Sequence, residues 1–283
     1  MLRSVSPLST AASGALSAAG FVLVFAVLAL RPSSGRAEGL IGGIGLTHLT
    51  VYDQRPAPDG LMSGSPHVHA VTDEGYYVIS GAGRVELHDR ENGFRSVELS
   101  PGRYVQFPPG VLHRLVSADR LVLLVVMGNA GLAERGDARI YFGRAVDDDT
   151  AEYARLAGLA GVKGLDGALD RRDAAVRAYA GLLELWTKDR RAYYRELERF
   201  VGVHMKAAAA LREGFAKAVE AGPAAWGELF RERVKKLPLR RADLSPVLHV
   251  PPEGTALGMC GVLRPVTKLE TVGPEKDGRP VTR

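Results

Sequence analysis

At 283 residues, with 46% hydrophobic and 24% charged side chains, the chain has the composition of an ordinary globular protein and the length for one domain plus a sizeable second element. Its single cysteine, Cys260, excludes an intramolecular disulfide framework and a cysteine-rich zinc site. The formal net charge is +5, but Arg3, Arg31 and Arg36 face no acid within residues 1–37; subtracting these three leaves +2, interspersed and too small to point to a nucleic-acid partner.

Ser4 to Leu30 carries no charge, and Phe21–Leu30 is wholly apolar. With Arg3 before it and Gly35-Arg36-Ala37 after it, the segment has the three-part plan of a secretory signal peptide cleaved after Ala37. An uncleaved anchor is the competing reading, since Ala11–Leu30 as a helix spans a bilayer core of roughly 30 Å; a mis-assigned start is the third. The first two readings export the remainder, with membrane contact only through residues 4–30 if cleavage does not occur. Arg31 and Arg36 count slightly against both.

Residues 45–128 read as β. Short apolar or alternating runs cover Gly45–Tyr52, His67–Val71, Gly75–Ser80, Arg84–His88, Phe94–Leu99, Tyr104–Phe107, His113–Val116 and Arg120–Met127. Turn residues separate them: Pro58-Asp59-Gly60, Gly81-Ala82-Gly83, Glu91-Asn92-Gly93, Pro101-Gly102 and Pro108-Pro109-Gly110. Many short strands with regular turns predict an antiparallel sandwich or barrel, with Gly83 and Gly93 supplying the positive φ of tight hairpins.

After Asp147-Asp148-Asp149-Thr150 a helical region begins. A short helix is predicted over Ala151–Leu159, broken by glycines 161, 164 and 167, then a longer helical region from Leu169 to Glu220. Val176, Tyr179, Leu183, Trp186, Tyr193, Leu197, Phe200, His204 and Leu211 form its buried stripe, with Arg190 interrupting. Pro223 starts another helix through Trp226 and Phe230 that ends before Pro238. The Pro- and Gly-rich tail, 239–283, holds short strands at Val247–Val250 and Met259–Val266, with disorder expected over Lys276–Arg283.

The chemistry concentrates in two blocks. His67-Val68-His69 sends both imidazoles to one face of a strand, and Glu74 follows after a short turn. The second block, Gly102 to His113, uses Pro108-Pro109-Gly110 to bring His113 back into the barrel. Three imidazoles and one carboxylate suit a first-row divalent ion and leave coordination positions open. His48 and His88 read as surface or strand-end residues, and His204 as a packed, hydrogen-bonded core histidine. His249 and Cys260 do not make a nucleophile pair without geometry. Trp186, Tyr193 and Tyr194 read as core rather than as a stacking platform, and Lys188–Arg191 as a solvated face. Tyr76, which shares strand parity with Glu74, and Arg84, Tyr104 and Gln106 are candidates to line a substrate pocket.

The two blocks resemble the paired motifs of the cupin superfamily, in its single-domain form. His67, His69, Glu74 and Gly81 match the first motif, and Gly102, Pro108, Gly110 and His113 the second. Six residues rather than the family's five separate Gly60 from His67, and Ser117 stands where the family has asparagine; neither position is a metal ligand. The resemblance spans residues 45–128 and implies an antiparallel jelly-roll β-barrel; the mainly α-helical region, 148–238, and the tail lie outside it, and with them the chain reads as α+β. The resemblance implies one divalent transition metal (Fe, Mn, Ni, Cu or Zn) on His67, His69, Glu74 and His113, a small-molecule ligand, and a homodimer as the family's common assembly. Two functions follow: an oxygenase, decarboxylase or isomerase type of enzyme acting on a small polar molecule, or a non-catalytic metal- and ligand-binding or scaffold module, a barrel that has lost its metal being one form of the second. The fold does not choose between them.

Overall fold

The structure is a computed structural model that describes residues 39–129 and 131–273. The N-terminal apolar segment and Lys276–Arg283 lie outside the described residues. In chain order the elements are β1 (Gly45–Val51), β2 (Met62–Ser63), β3 (His67–His69), β4 (Glu74–Asp89), β5 (Gly93–Leu99), β6 (Tyr104–Phe107), β7 (Leu112–Met127), β8 (Ala138–Ile140), α1 (Arg144–Asp147), α2 (Thr150–Ala157), α3 (Leu159–Lys188), α4 (Arg190–Ala209), α5 (Arg212–Val219), α6 (Ala225–Lys235), β9 (Val247–His249), β10 (Ala256–Leu257), β11 (Gly261–Pro265) and β12 (Leu269–Thr271).

Ten strands form one antiparallel sheet, with β9 and β12 paired separately. Strand β7 is its spine: it pairs with β4 along most of its length, with β2 and β3 near its start and with β1 near its end. The sequence divides both long strands in two, placing a turn at Gly81-Ala82-Gly83. Instead β4 runs through it with successive register shifts between Val78 and Gly83. Gly81, not Gly83, takes the positive φ, and a Cβ there would strike the carbonyl oxygens of Asp119 and Arg120 where the two strands cross closely. The shifts change which residues face inward. Before them Tyr76 and Val78 point into the barrel core; after them Val85 and Leu87 do.

The tail completes the barrel. β11 pairs with β1, and β10 with β11, so the sheet extends past residue 128 and Cys260 packs in the barrel core.

The helical region expected over residues 169–220 is divided among three helices, α3, α4 and α5. Asp189 ends α3 and caps α4, accepting a hydrogen bond from the Ala192 amide at 2.9 Å. The predicted glycine break reduces to a kink at Gly164 inside α3. Pro223 lies within a π-turn between α5 and α6. Most of the predicted stripe is buried, but Leu211 and, beyond it, Phe230 are exposed.

The helices dock on the outer face of the barrel. Tyr179, Leu182, Tyr193, Leu197 and Phe200 close over Val68 and Leu112, each apolar side chain contributing about 1.5–3 kcal/mol of burial. His88 corrects the surface reading: it is completely buried in this interface, one residue from the end of β4. Its Nδ1 accepts from the Tyr193 hydroxyl at 2.8 Å, and its Nε2–H donates to the Tyr179 oxygen at 2.6 Å. Tyr179 in turn donates to Glu86 Oε2 at 3.1 Å, a carboxylate that also faces Arg114 and Arg84. Burial holds the His88 pKa down to about 3, so the ring is a neutral link in this chain of hydrogen bonds.

The hairpin between β4 and β5 meets the helices at one tight point. Gly93 has φ +70°, and a Cβ on it would overlap the Trp186 ring. Gly93→Ala is therefore expected to destabilise the protein by about 2 kcal/mol, combining left-handed strain with a displaced indole. Chemical denaturation should show this as a lower midpoint, with Trp186 fluorescence changed in the folded state.

Candidate metal centre

Strand pleating sends His67 and His69 inward together, while Val68 between them faces the helices. His113 on β7 is the direct cross-strand partner of His67. Glu74 opens β4, after the turn through Thr72 and Asp73. The turn at Gly110, with φ +83°, sets the entry of β7, and its amide is held by the His69 carbonyl at 2.8 Å.

The four side chains meet at a point. His67 Nε2 and His113 Nε2 are 3.0 Å apart, Glu74 Oε2 is 3.0 Å from His113 Nε2 and 3.2 Å from His69 Nε2, and one donor atom from each residue lies within 4.8 Å of all the others. All four are buried, at 0–5% exposure. Each imidazole spends its other nitrogen outward: His67 Nδ1 donates to the Ser65 carbonyl, His113 Nδ1 to the Val111 carbonyl and His69 Nδ1 to Asp137 Oδ2, all at 3.0 Å. These acceptors fix the tautomers that leave three Nε2 lone pairs facing inward.

The donor set fits a divalent ion. His69 Nε2 and Glu74 Oε2 are buried without an aligned hydrogen bond, an arrangement that buried polar atoms avoid unless something else satisfies them. Donors at about 2.0–2.2 Å from an ion stand roughly 3 Å apart when they subtend a right angle, which is the separation seen here.

Without an ion the charges rearrange around protons. Burial opposes ionisation of Glu74, yet the facing His113 and His69 outweigh it and hold the carboxyl well below its usual range. Burial drives the His67 pKa well down, with His113 adding to the effect. At His69, burial also disfavours the cation, but the Asp137 and Glu74 carboxylates overcome it and raise the pKa to about 9.

Of the residues expected to line a pocket, only Tyr76 is at the site. Its ring lies edge-on to Phe107 and His113, and its hydroxyl is buried beside Glu74 and Cys260 without an aligned partner. Arg84 sits past the register shifts, on the face opposite Val85 and Leu87, and pairs with Glu86 at 2.7 Å. Tyr104 and Gln106 bond to each other on the exposed face of β6, whose inner face is taken by Val105 and Phe107. His249 bonds to the Lys268 carbonyl on the separate β9–β12 ribbon. Cys260 instead lies 3.9 Å from His67 Nδ1, its thiol pKa pushed up by burial. Asp137 and Cys260 are distant in sequence from both motifs, and no spacing marks them.

His69 sets a pH signature. Its folded pKa, about 9, exceeds the unfolded value of about 6.5, so the metal-free protein holds this stabilisation fully below pH 6.5 and loses it as pH rises through 9. An ion must displace the same proton, so metal affinity should rise across that window. Melting temperatures from pH 6.5 to 9 are expected to fall in chelator and to separate upward from that curve when metal is present.

Residues 54–127 match the family described as "Cupin domain". None of the curated proteins matches the chain. Among solved structures, a cupin protein from Bacteroides fragilis is 18% identical, with 31% of this chain and 68% of that chain covered and a TM-score of 0.24. An oxalate decarboxylase–formate complex from Lactobacillus farciminis is 19% identical over 31% of this chain and 24% of that one, with a TM-score of 0.26. The coconut allergen cocosin is 17% identical over 48% of this chain and 32% of that one, with a TM-score of 0.32. With its antiparallel barrel and its inward-facing His, His, Glu and His, the stretch 54–127 is a cupin domain, joined in this chain to a C-terminal helical region.

Proposed function

We propose that this is an exported cupin-domain protein whose working part is one divalent transition metal on His67, His69, Glu74 and His113. The observation that carries the reading is the convergence of three oriented Nε2 lone pairs and one carboxylate oxygen in a buried space, two of these atoms lacking any other satisfied bond. Export rests on the apolar Ser4–Leu30 segment and its flanks. Among the described residues no helix is long and apolar enough to cross a membrane.

A bound divalent ion would supply Lewis acidity toward a carbonyl or carboxylate, or a redox centre for oxygen. The chain's own contribution is orientation and exclusion of water. Tyr76 offers a neutral hydroxyl beside the ion's position, burial and the Glu74 charge raising its pKa well above the ordinary phenol value. Phe107, Val111 and Leu115 keep the surrounding wall apolar. A small polar molecule held directly at the ion, with Tyr76 as its hydrogen-bond partner, is the substrate class this supports, and oxygenase, decarboxylase and isomerase chemistries are the candidates.

The burial of the four donors also favours a second reading, a metal-bearing scaffold with no exchangeable position. Element analysis after loading with Mn(II), Fe(II) or Zn(II) is expected to give close to one equivalent per chain, and His67→Ala to lose most of it. Well under one equivalent with every ion would sink the metal reading. Water proton relaxation of the Mn(II)-loaded protein separates the other two: an exchangeable water supports the enzyme, and none supports the scaffold.

A further inference from the structure

The three histidines are oriented in two different ways. His67 and His113 each donate to a carbonyl two residues upstream, within their own strand entries. His69 alone depends on a distant side chain, the carboxylate of Asp137. Asp137 is fully buried and held on all sides. Its Oδ1 accepts from the Ala70 and Val71 amides at 3.1 and 2.7 Å, and its own amide donates to the Leu132 carbonyl at 3.1 Å. Its carbonyl accepts from Ala70 at 2.9 Å and from His204 Nε2 at 2.6 Å.

His204 belongs to α4 and is 2% exposed. A carbonyl can only accept, so Nε2 carries the proton. Around this bond, Leu132, Ala208 and Phe215 cluster with Ala70, tying α4 and α5 to the residue that follows His69. An apolar side chain would have filled the stripe of α4 equally well; the imidazole adds a donor aimed at the backbone that presents Asp137.

We propose that His204 is a positioning residue for the metal centre: by holding Asp137, which orients His69, it links this one contact of α4, and not helix docking at large, to metal affinity. This rests on the metal-binding reading above. Linkage is reciprocal, so the ion should stabilise the His204–Asp137 contact by the factor with which that contact raises its affinity. Groups that orient a ligating histidine are typically worth about 10–100-fold in affinity.

The test uses the full chain and Zn(II) alone, titrated against a chelating dye. Asp137→Asn is expected to weaken binding by about 10–100-fold, and His204→Leu by about 5–10-fold. His204→Gln, which keeps an N–H donor, should restore most of the affinity. Tyr193→Phe, on the same helix, loosens the bond to His88 without touching Asp137 and should leave affinity within about twofold. Co(II) absorption should change in His204→Leu and return in His204→Gln. In wild type, hydrogen exchange of the amides of α4 should slow when Zn(II) is added, a readout that survives if His204→Leu does not fold.

Three results overturn the proposal: His204→Leu binding like wild type, affinity that follows stability equally in Tyr193→Phe, or exchange in α4 indifferent to Zn(II). If wild type binds no ion at all, the metal reading itself fails; if it binds normally and His204 is silent, only the coupling fails.

Discussion

Burying four polar donors in an apolar barrel is the constraint that organises this molecule. An imidazole or carboxylate removed from water must find partners or remain a heavy cost. Here the inward atoms are left to one another, in a cluster suited to an ion, so every outward atom has to be satisfied by the protein. Ser65 and Val111 serve His67 and His113 through backbone already fixed by the strands. His69 lies on the three-residue β3, followed by the exposed Val71, where no such local carbonyl is used. The chain meets that need from 68 residues away, with Asp137, and then secures Asp137 with the loop from Leu132 and with α4.

The pleat carries the same constraint through the barrel wall. His67 faces in and Val68 out; His113 faces in while Leu112 and Arg114 face out; Leu87 faces in and His88 out. The strands that shape the metal centre on one side therefore form the docking surface for α3 and α4 on the other. That surface is not simply greasy. Arg114, only 1% exposed, bonds to Ser63 and pairs with Asp59 at 2.7 Å, and Tyr193, His88, Tyr179 and Glu86 are joined in one line of hydrogen bonds. Such a line demands one relative placement of helix and sheet, because a half-satisfied buried network is worse than none.

Sequence pattern locates the barrel strands and the four clustered donors because both depend on short-range rules. His-x-His alternation, turn glycines at Gly102 and Gly110 and the prolines before His113 are local, and all appear in the structure. What failed depends on non-local geometry. Arg84 has the parity of Tyr76, but the register shifts in β4 turn it outward, and nothing local in Gly81-Ala82-Gly83 tells a crease from a hairpin. His88 is near a strand end as read but not at the surface, because the helices that bury it come roughly a hundred residues later. Asp189 was legible in principle: an aspartate directly before Arg190 is a helix cap, and it explains why the apolar stripe breaks there.

The misplaced pocket residues bear on chemistry. With Arg84, Tyr104 and Gln106 outside, Tyr76, Phe107, Cys260 and aliphatic side chains are among the described residues that pack around the four donors. Once an ion has displaced the His69 proton, the ionised Glu74 would repel an anionic group, and the ion's own charge would offset it. In the proposed metal-binding reading, recognition of such a ligand would run through the ion itself. A neutral molecule such as oxygen faces no such barrier. The apolar wall, the unpaired Tyr76 hydroxyl and the raised thiol pKa of Cys260 together describe neutral surroundings for a donor cluster whose charge lies on Glu74 and His69.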